Sequence, residues 1–336
     1  MSASIVAISL IVGGVRESLA QQVISGPTMG TAFRVKIVAS DSSQDRLDYD
    51  QIEAGINNLL RSVNQQMSTY IKNSEISRFN RYRGSDGFPI SSDLAHVLKQ
   101  AIEISELSNG AFDVTVGPLV NLWGFGPEGR RNVVPTDAEI TSRMSQIGYE
   151  KLAVRLSPPG VKKKMPEIFC DLSAIAKGFG VDKVAEYLES QGIENYMVEI
   201  GGEVRAKGQA PSGESWRIGI ERPDDPTAFQ KILELQKHSV ATSGDYINYF
   251  KKEGVRYSHT IDPRTGRPIT HNLASVTVIH ASCMIADGVA TALHVLGPVE
   301  GFELAQRQKL AVFMIVRHQD EFVEMMTPEF EDYLVD

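Results

Sequence analysis

Asp287 and Thr291 are the two polar side chains of an otherwise apolar stretch, residues 283–293. Because they are four residues apart, a helix would place both on one face, about one turn from each other. A carboxylate and a hydroxyl in this arrangement are hard oxygen ligands, which Mg²⁺ and Ca²⁺ prefer. The same residues also suit a helix start, with Asp287 favoured by the helix dipole and Thr291 bonded to its own backbone. The stretch therefore predicts either a divalent-cation site or a capped helix.

Four glycine-rich segments could bring the backbone close to a ligand: residues 28–31, 171–178, 199–203 and 258–266. The second of them enters a predicted helix whose N-terminus would favour an anion such as a phosphate, with Lys177 as a point charge in its first turns. Taken singly, each segment is also typical of an ordinary turn, strand end or capped helix.

His259 is the best general-base candidate in the chain. The ordinary pKa of a histidine is near neutrality, and Asp262 lies three residues further on. A single histidine in a predicted strand is also typical of a structural or binding residue, so both interpretations stay open.

Several familiar sites are excluded by their spacing. The seven histidines do not cluster as zinc ligands, and no Walker A, G-x-S-x-G or H-E-x-x-H motif occurs. Residues 124–129 fit G-x-G-x-x-G, but Pro127 interrupts them and no strand–loop–helix unit surrounds them. Cys170 and Cys283 lack CxxC spacing and are interpreted as small buried hydrophobic residues.

The elements that must position these residues divide into a helical first half and a strand-rich second half, which predicts an α+β fold with a substantial antiparallel sheet. Predicted helices span residues 49–63, 74–80 (a turn or short helix), 92–107, 136–147 after a Thr136–Glu139 capping box, 173–191, 283–293 and 299–307. Predicted strands span residues 33–38, 152–156, 168–171, 196–200, 204–207, 216–221, 231–235, 239–242, 256–261, 275–281 and 311–316. The basic run 162–164 is interpreted as a solvated hairpin tip.

The composition and the N-terminus bound the class of protein. A chain of 336 residues with 42% hydrophobic residues and a net charge of −8 argues against nucleic acid or an anionic membrane surface as the main partner.

The apolar run 5–15 is too short to span a bilayer, and small residues precede a possible cut after Ala20. We therefore predict a signal peptide at residues 1–20 and a mature domain at 21–336. Against this, the run lacks a preceding Lys or Arg, and a short buried N-terminal strand or helix is the alternative.

Seven segments, taken together and in this order, resemble the ApbE family of FAD:protein FMN transferases. They are residues 29–31, 67–70 with 74–80, 112–126, 171–182, 199–203, 259–266 with Pro268, and 286–291. Each segment alone is weak evidence of the family, but seven segments in this order are highly specific for it. They extend over nearly the whole predicted mature chain.

The resemblance implies an α+β fold of largely antiparallel sheets flanked by helices, with the active site in a cleft between two subdomains. It implies an exported enzyme that binds FAD, splits its pyrophosphate with Mg²⁺, joins FMN to a threonine hydroxyl of an acceptor protein and releases AMP. The acceptors of the family include redox subunits of Na⁺-pumping NADH:quinone reductase and of the Rnf complex. The implied location is the periplasm, free or attached to the inner membrane, although the lipid-accepting cysteine of many relatives is absent here.

The resemblance also assigns residues. Asp287 and Thr291 match the side-chain metal ligands, and Ala174 matches a position that ligates through its backbone carbonyl. Ala290 stands where some relatives carry a further acidic ligand, so Mg²⁺ would be held by few protein oxygens. His259 could take the threonine proton, with Asp262 or the metal as alternatives. The expected FAD contacts are Met29, Tyr70, Ala111, Phe112, Asp113, Asp171, Lys177 and Ile261.

Two other functions remain open at this point. The same site with water in place of threonine would be a Mg²⁺-dependent FAD pyrophosphatase that yields FMN and AMP. A non-catalytic flavin-binding protein would bind FAD without metal dependence and without release of AMP. The Asp287–Thr291 pair argues against the second of these functions.

Overall fold

The computed structural model describes residues 20–39, 47–84, 86–126, 133–225, 227–244, 249–252, 255–319 and 321–335. The strands are β1 (Gln21–Thr28), β2 (Thr31–Val38), β3 (Phe88–Pro89), β4 (Leu152–Leu156), β5 (Pro159–Lys163), β6 (Tyr196–Ile200), β7 (Glu203–Lys207), β8 (Trp216–Glu221), β9 (Phe229–Leu235), β10 (Ser239–Gly244), β11 (Tyr249–Lys252), β12 (Val255–Ser258), β13 (Ile261–Asp262), β14 (Arg267–Pro268), β15 (Leu273–His280), β16 (Ala311–His318) and β17 (Glu321–Met326). The helices are α1 (Tyr49–Met67), α2 (Glu75–Arg81), α3 (Ser92–Leu107), α4 (Gly117–Leu122), α5 (Asp137–Met144), α6 (Ala176–Ser190), α7 (Cys283–Arg307) and α8 (Pro328–Glu331). The predicted α+β class is confirmed.

An antiparallel sheet of eight strands, in the order β1-β2-β6-β7-β10-β15-β16-β17, is the centre of the fold. Side chains alternate between its two faces, as the pleat of a strand requires. On β16, Val312 and Met314 pack towards the helices, whereas Phe313 and Ile315 pack into the core on the opposite face. Helices α1, α3, α6 and α7 cover the first face, and the hairpin β8–β9 with α8 covers the second. The sheet is therefore the middle of three layers.

Helices α6 and α7 cap each other through two carboxylates. Asp182 on α6 accepts hydrogen bonds from the Ser282 hydroxyl at 2.7 Å and from the amides of Cys283 and Met284 at 3.0 Å each. In return, Asp287 on α7 accepts a hydrogen bond from the Gly178 amide at 3.0 Å. Each carboxylate thus satisfies backbone N–H groups that a helix start leaves without a partner. The pair fixes the relative position of the two helices.

Helix α7 is not continuous. Gly297 has φ 81° and ψ −176°, and Pro298 follows it, so the helical backbone is interrupted there. The two helices that the sequence predicts, before and after this point, are confirmed as the two halves of α7. Helix α5 keeps the predicted Thr136–Glu139 capping box but ends at Met144.

The predicted strand at 168–171 is wrong. The side-chain amide of Asn80 donates to the Cys170 carbonyl and accepts from the Cys170 amide, both at 2.8 Å. One buried side chain therefore takes the place of a neighbouring strand. The structure also adds strands that the sequence analysis missed, among them β1 and β17, and the predicted strand 256–261 is broken at His259 into β12 and β13.

The basic run 162–164 is not a hairpin tip, because the turn between β4 and β5 lies at Ser157–Pro158. Lys163 is buried, and its ammonium donates to the carbonyls of Phe79, Asn80 and Ile168 at 3.2 Å each. Lys163 therefore joins helix α2 to the segment before α6.

Cys170 and Cys283 are both buried free thiols, in agreement with their interpretation as hydrophobic residues. None of the helices in the described part of the chain is long and apolar enough to cross a membrane. The predicted signal peptide at 1–20 lies, except for Ala20, outside the described residues.

We expect Gly178→Ala to lower the free energy of unfolding by about 1–3 kcal/mol. A Cβ at this position would lie 2.4 Å from the Cys283 carbonyl oxygen, and the backbone of α7 cannot yield without breaking the mutual caps. Urea unfolding followed by circular dichroism measures the effect. Gly87→Ala is the matched control, since nothing lies within 4 Å of its added Cβ. A Gly178→Ala variant as stable as the parent would contradict the close contact of the helices.

Candidate active site

A cavity of about 910 Å³ lies where α6, α7 and β10 meet the segments around α4 and β13. The α4 side has a small core of its own, formed by residues of α4 and α5 with Ile147 and Ile261. The cavity therefore lies between this small core and the main helical layer, where the resemblance predicts a cleft between two subdomains. Twelve predicted site residues line it: Met29, Tyr70, Ala111, Phe112, Asp113, Asp171, Ala174, Lys177, His259, Ile261, Asp287 and Thr291.

One face of α7 supplies three polar residues of the cavity. Asp287, Thr291 and His294 all line it, at the i, i+4 and i+7 spacing of one helical face. Asp287 is 3% exposed, and the Thr291 hydroxyl lies 3.2 Å from the hydroxyl of Ser243 on β10. Ala290 faces away and is buried in the hydrophobic core. The structure thus brings the two predicted side-chain ligands to one wall.

Lys177 lies between two buried carboxylates in this wall. Its ammonium is 2.6 Å from Oε1 of Glu203 and 3.6 Å from Oδ1 of Asp287. Burial alone would lower the pKa of Lys177, but the charges of Asp287 and Glu203 outweigh it and raise that pKa. Burial raises the pKa of Glu203, opposed by Lys177 and reinforced by Asp287. Lys177 is therefore held by protein carboxylates, whereas the sequence predicted a point charge for phosphate.

The charges fit a cation. With both carboxylates ionised, one ammonium and two carboxylates sum to one net negative charge in a buried place, which is costly unless a proton or a cation compensates it. Oε2 of Glu203 is buried and has no hydrogen-bond partner among the described residues.

The donor set suits Mg²⁺ in particular. In the described part of the chain, no three His, Cys, Asp or Glu side chains lie close enough to share a metal ion. A metal here would use the Asp287 carboxylate, the Thr291 hydroxyl and the Ala174 carbonyl, which are oxygen donors of three residues that line the cavity. Mg²⁺ accepts few protein oxygens because it keeps several water ligands.

Two tight turns place residues from the central sheet in the cavity wall. Met29 (φ 48°) and Gly30 (φ 73°) form the two-residue turn between β1 and β2, and Gly201 (φ 58°) and Gly202 (φ 105°) form the one between β6 and β7. Such left-handed pairs match the twist of a hairpin and favour glycine. The first turn puts Met29 in the wall, and the second puts Glu203 there as the first residue of β7.

The predicted FAD contacts differ in what their side chains can offer. Tyr70 is 72% exposed, so its ring is available for stacking on a flat ligand. The Asp113 carboxylate is occupied, because it accepts hydrogen bonds from the amides of Thr115 at 2.7 Å and Tyr149 at 2.9 Å. One oxygen of Asp171 likewise accepts from the Ser173 amide at 2.9 Å, in the turn before α6.

His259 and Asp262 are separated by the fold. His259 lines the cavity, and its ring centroid lies 6.3 Å from that of Phe125 in an edge-on arrangement. Asp262 is absent from the lining, and its two carboxylate oxygens accept hydrogen bonds from Arg264 Nε and Nη2 at 3.0 Å each. This bidentate pair stabilises the turn after His259. The placement argues for His259 and against Asp262 as the general base.

Glu203, Ser243 and His294 are among the polar residues of the cavity that the sequence did not predict as site residues. Glu203 ends the glycine-rich segment 199–203, for which the sequence predicts a close approach of the backbone to a ligand but no function of the Glu203 side chain. His294 continues the helical spacing of Asp287 and Thr291, which was a usable signal. Ser243 comes from a distant strand, and only the pairing of the sheet brings it to Thr291.

We expect His294→Leu to make the protein more resistant to acid. His294 is 1% exposed, and burial lowers its pKa to about 3, so the unfolded chain binds a proton that the folded chain does not. Stability is therefore lost as the pH falls from about 6.5 towards 3, by up to roughly 4 kcal/mol. Urea unfolding across this pH range should give a shallower decline for His294→Leu than for the parent. The control is His96→Asn, a change at an exposed histidine. If the stability of His294→Leu fell as steeply with pH as that of His96→Asn, the lowered pKa of His294 would be contradicted.

Comparison with known proteins identifies the family. Residues 29–314 match the model of the ApbE family. The chain is 49% identical to the FAD:protein FMN transferase of Vibrio cholerae, over 97% of this chain and 96% of that protein, and 38% identical to the Escherichia coli K12 enzyme of the same name, over 93% and 89%.

Solved structures agree with this match. The flavin transferase ApbE from Vibrio cholerae superimposes with a TM-score of 0.87 over 94% of this chain and 100% of that one, at 49% identity. The apo form of the flavinyl transferase ApbE from Pseudomonas stutzeri superimposes with a TM-score of 0.86 over 94% and 96%, at 39% identity. The chain therefore belongs to the ApbE family, whose activity is the transfer of FMN from FAD to a protein.

Proposed function

We propose that this chain uses Mg²⁺ to transfer FMN from FAD to a threonine hydroxyl of an acceptor protein, with release of AMP. One observation carries the proposal. The predicted metal ligands and the predicted FAD contacts, which the sequence scatters between positions 29 and 291, line a single cavity. Its volume of about 910 Å³ is near the upper end of small-molecule sites, as an extended dinucleotide requires.

Different side chains would bind the rings of FAD and the cation. Tyr70 offers an exposed ring against which a flavin or adenine ring can stack, and Met29, Phe112 and Ile261 supply apolar wall. Asp287, Thr291 and Ala174 would hold the cation. Bound there, Mg²⁺ supplies positive charge that neutralises the phosphate oxygens during transfer.

His259 is the proposed general base. Its imidazole lines the cavity and would take the proton from the acceptor threonine as the hydroxyl oxygen bonds to the FMN phosphorus. The bond between that phosphorus and the bridging oxygen breaks in the same displacement, and AMP leaves with the bridging oxygen. The chain's own contribution is orientation of FAD and hydroxyl, because phosphoryl transfer depends chiefly on positioning and electrostatics.

We expect Asp287→Asn to lower the rate of flavin transfer by about a hundredfold or more, because a metal ion supplies several kcal/mol of charge stabilisation. Asn keeps an oxygen that can accept the Gly178 hydrogen bond, so the caps of α6 and α7 should survive. The assay incubates the protein with FAD, Mg²⁺ and an acceptor domain and weighs the acceptor by mass spectrometry. FAD binding, followed by flavin fluorescence, should be largely retained. Asp86→Asn, at an exposed position, is the control.

The same assay separates the transferase from its alternatives. The parent should add one FMN to the acceptor and release AMP. FMN and AMP without a modified acceptor would indicate a pyrophosphatase, and bound FAD without AMP would indicate a flavin carrier. Full turnover by Asp287→Asn would contradict the metal assignment.

We further propose that the chain is exported, acts in the periplasm or at the inner membrane, and modifies redox subunits of the Na⁺-pumping NADH:quinone reductase or Rnf type. The apolar run and the small residues that precede Gln21 support export, and the acceptors are those that the family resemblance implies. Expression of the full chain in a Gram-negative host should yield a periplasmic protein whose N-terminal residue is Gln21. A full-length product in the cytosolic fraction would contradict export.

A further inference from the structure

We propose that Glu203 is a positioning residue: it holds the Lys177 ammonium as a counter-ion and so leaves Asp287 available to a divalent cation. The inference rests on the proposed cation site and deepens it. It assigns a purpose to the buried carboxylate that follows the Gly201–Gly202 turn.

Lys177 contacts Glu203 more closely than Asp287. Its ammonium is 2.6 Å from Glu203 but 3.6 Å from Asp287, so only the first contact is a short, charge-assisted hydrogen bond. Oδ2 of Asp287 accepts from the Gly178 amide, which leaves Oδ1, the oxygen that faces Lys177, for a metal. The lysine therefore stands next to the oxygen that a metal would need.

Two cations cannot share Asp287 without cost. In a partly buried place, an ammonium a few ångströms from a divalent ion repels it strongly. Glu203 reduces this repulsion, because it neutralises Lys177 and offers the ammonium a second place to bind. Its Oε2 has no partner in the described part of the chain and is buried, so it can accept another Lys177 hydrogen bond when a metal takes Asp287.

The fold keeps Glu203 where this task requires it. The residue is 3% exposed and is paired with Ile200 across the two-residue turn between β6 and β7, so its backbone has little freedom. Without its charge, Lys177 and Asp287 would form an ion pair of zero net charge, and a metal would have to break it.

The test measures divalent-cation affinity directly. Mn²⁺ serves as the probe, and electron paramagnetic resonance of the free ion gives the dissociation constant for the full chain, with and without FAD. We expect Glu203→Gln to weaken Mn²⁺ binding by about 10–100-fold, the usual range for residues that support metal ligands. Lys177→Met alone should tighten binding, because it removes the competing cation.

The double variant tests whether Glu203 acts on the metal through Lys177. Lys177→Met in the Glu203→Gln background should restore most of the lost affinity, since it again leaves one net negative charge. If Glu203→Gln lost Mn²⁺ affinity and Lys177→Met did not restore it, Glu203 would ligate the metal itself or only maintain the fold, and the inference would be overturned. Unchanged affinity in Glu203→Gln would overturn it as well.

Two further measurements keep the result interpretable. Glu221→Gln, which makes the same change at a buried glutamate outside the cavity lining, should bind Mn²⁺ as the parent does. If Glu203→Gln does not fold, Lys177→Met carries the test alone, and weaker or unchanged binding overturns the inference. A parent that binds no Mn²⁺ would overturn the cation site and this inference together. In either case the acceptor assay decides separately whether the chain transfers FMN.

Discussion

The structure depends on the mutual capping of α6 and α7 by Asp182 and Asp287. Each carboxylate is buried and satisfies helix N-terminal amides of the other helix, where both the helix dipole and the free N–H groups favour a negative charge. Gly178 lets the backbones approach closely enough for these bonds to form. Because Asp287 is at once a cap and a proposed metal ligand, the stability of the fold and the placement of the site are coupled.

The second constraint is charge. Burial makes an unpaired charge expensive, yet Lys177, Glu203 and Asp287 leave one negative charge in excess. With all three groups ionised, a divalent cation bound at the proposed site would offset this excess. Glu203 neutralises the Lys177 ammonium, so this lysine can lie beside the proposed metal ligand Asp287. A net negative charge of this kind would favour a cation at the proposed site.

Much of the architecture could be predicted from local patterns. The amphipathic spacing of α3 gave its bounds, the Thr136–Glu139 box gave the start of α5, and β8 was predicted at its observed limits. Predictions failed where tertiary contacts replaced local ones. Asn80 bonds the backbone of Cys170 and so removes a predicted strand, and the distant carbonyls of Phe79 and Asn80 help to draw Lys163 inward from a basic run. Neither contact has a local sequence signal.

The sequence alone determined the family, the α+β class and the spacing that places Asp287 and Thr291 on one helical face, because periodicity and the order of motifs can both be read along the unfolded chain. The tertiary structure decided which polar groups share the cavity. It brought Glu203 and Ser243 from the sheet to α7, and it turned Asp262 away to pair with Arg264. These outcomes depend on strand pairing and helix packing across more than a hundred residues, as the bond from Gly178 to Asp287 at a separation of 109 residues illustrates. No local pattern records contacts over that distance, so only the folded chain reveals them.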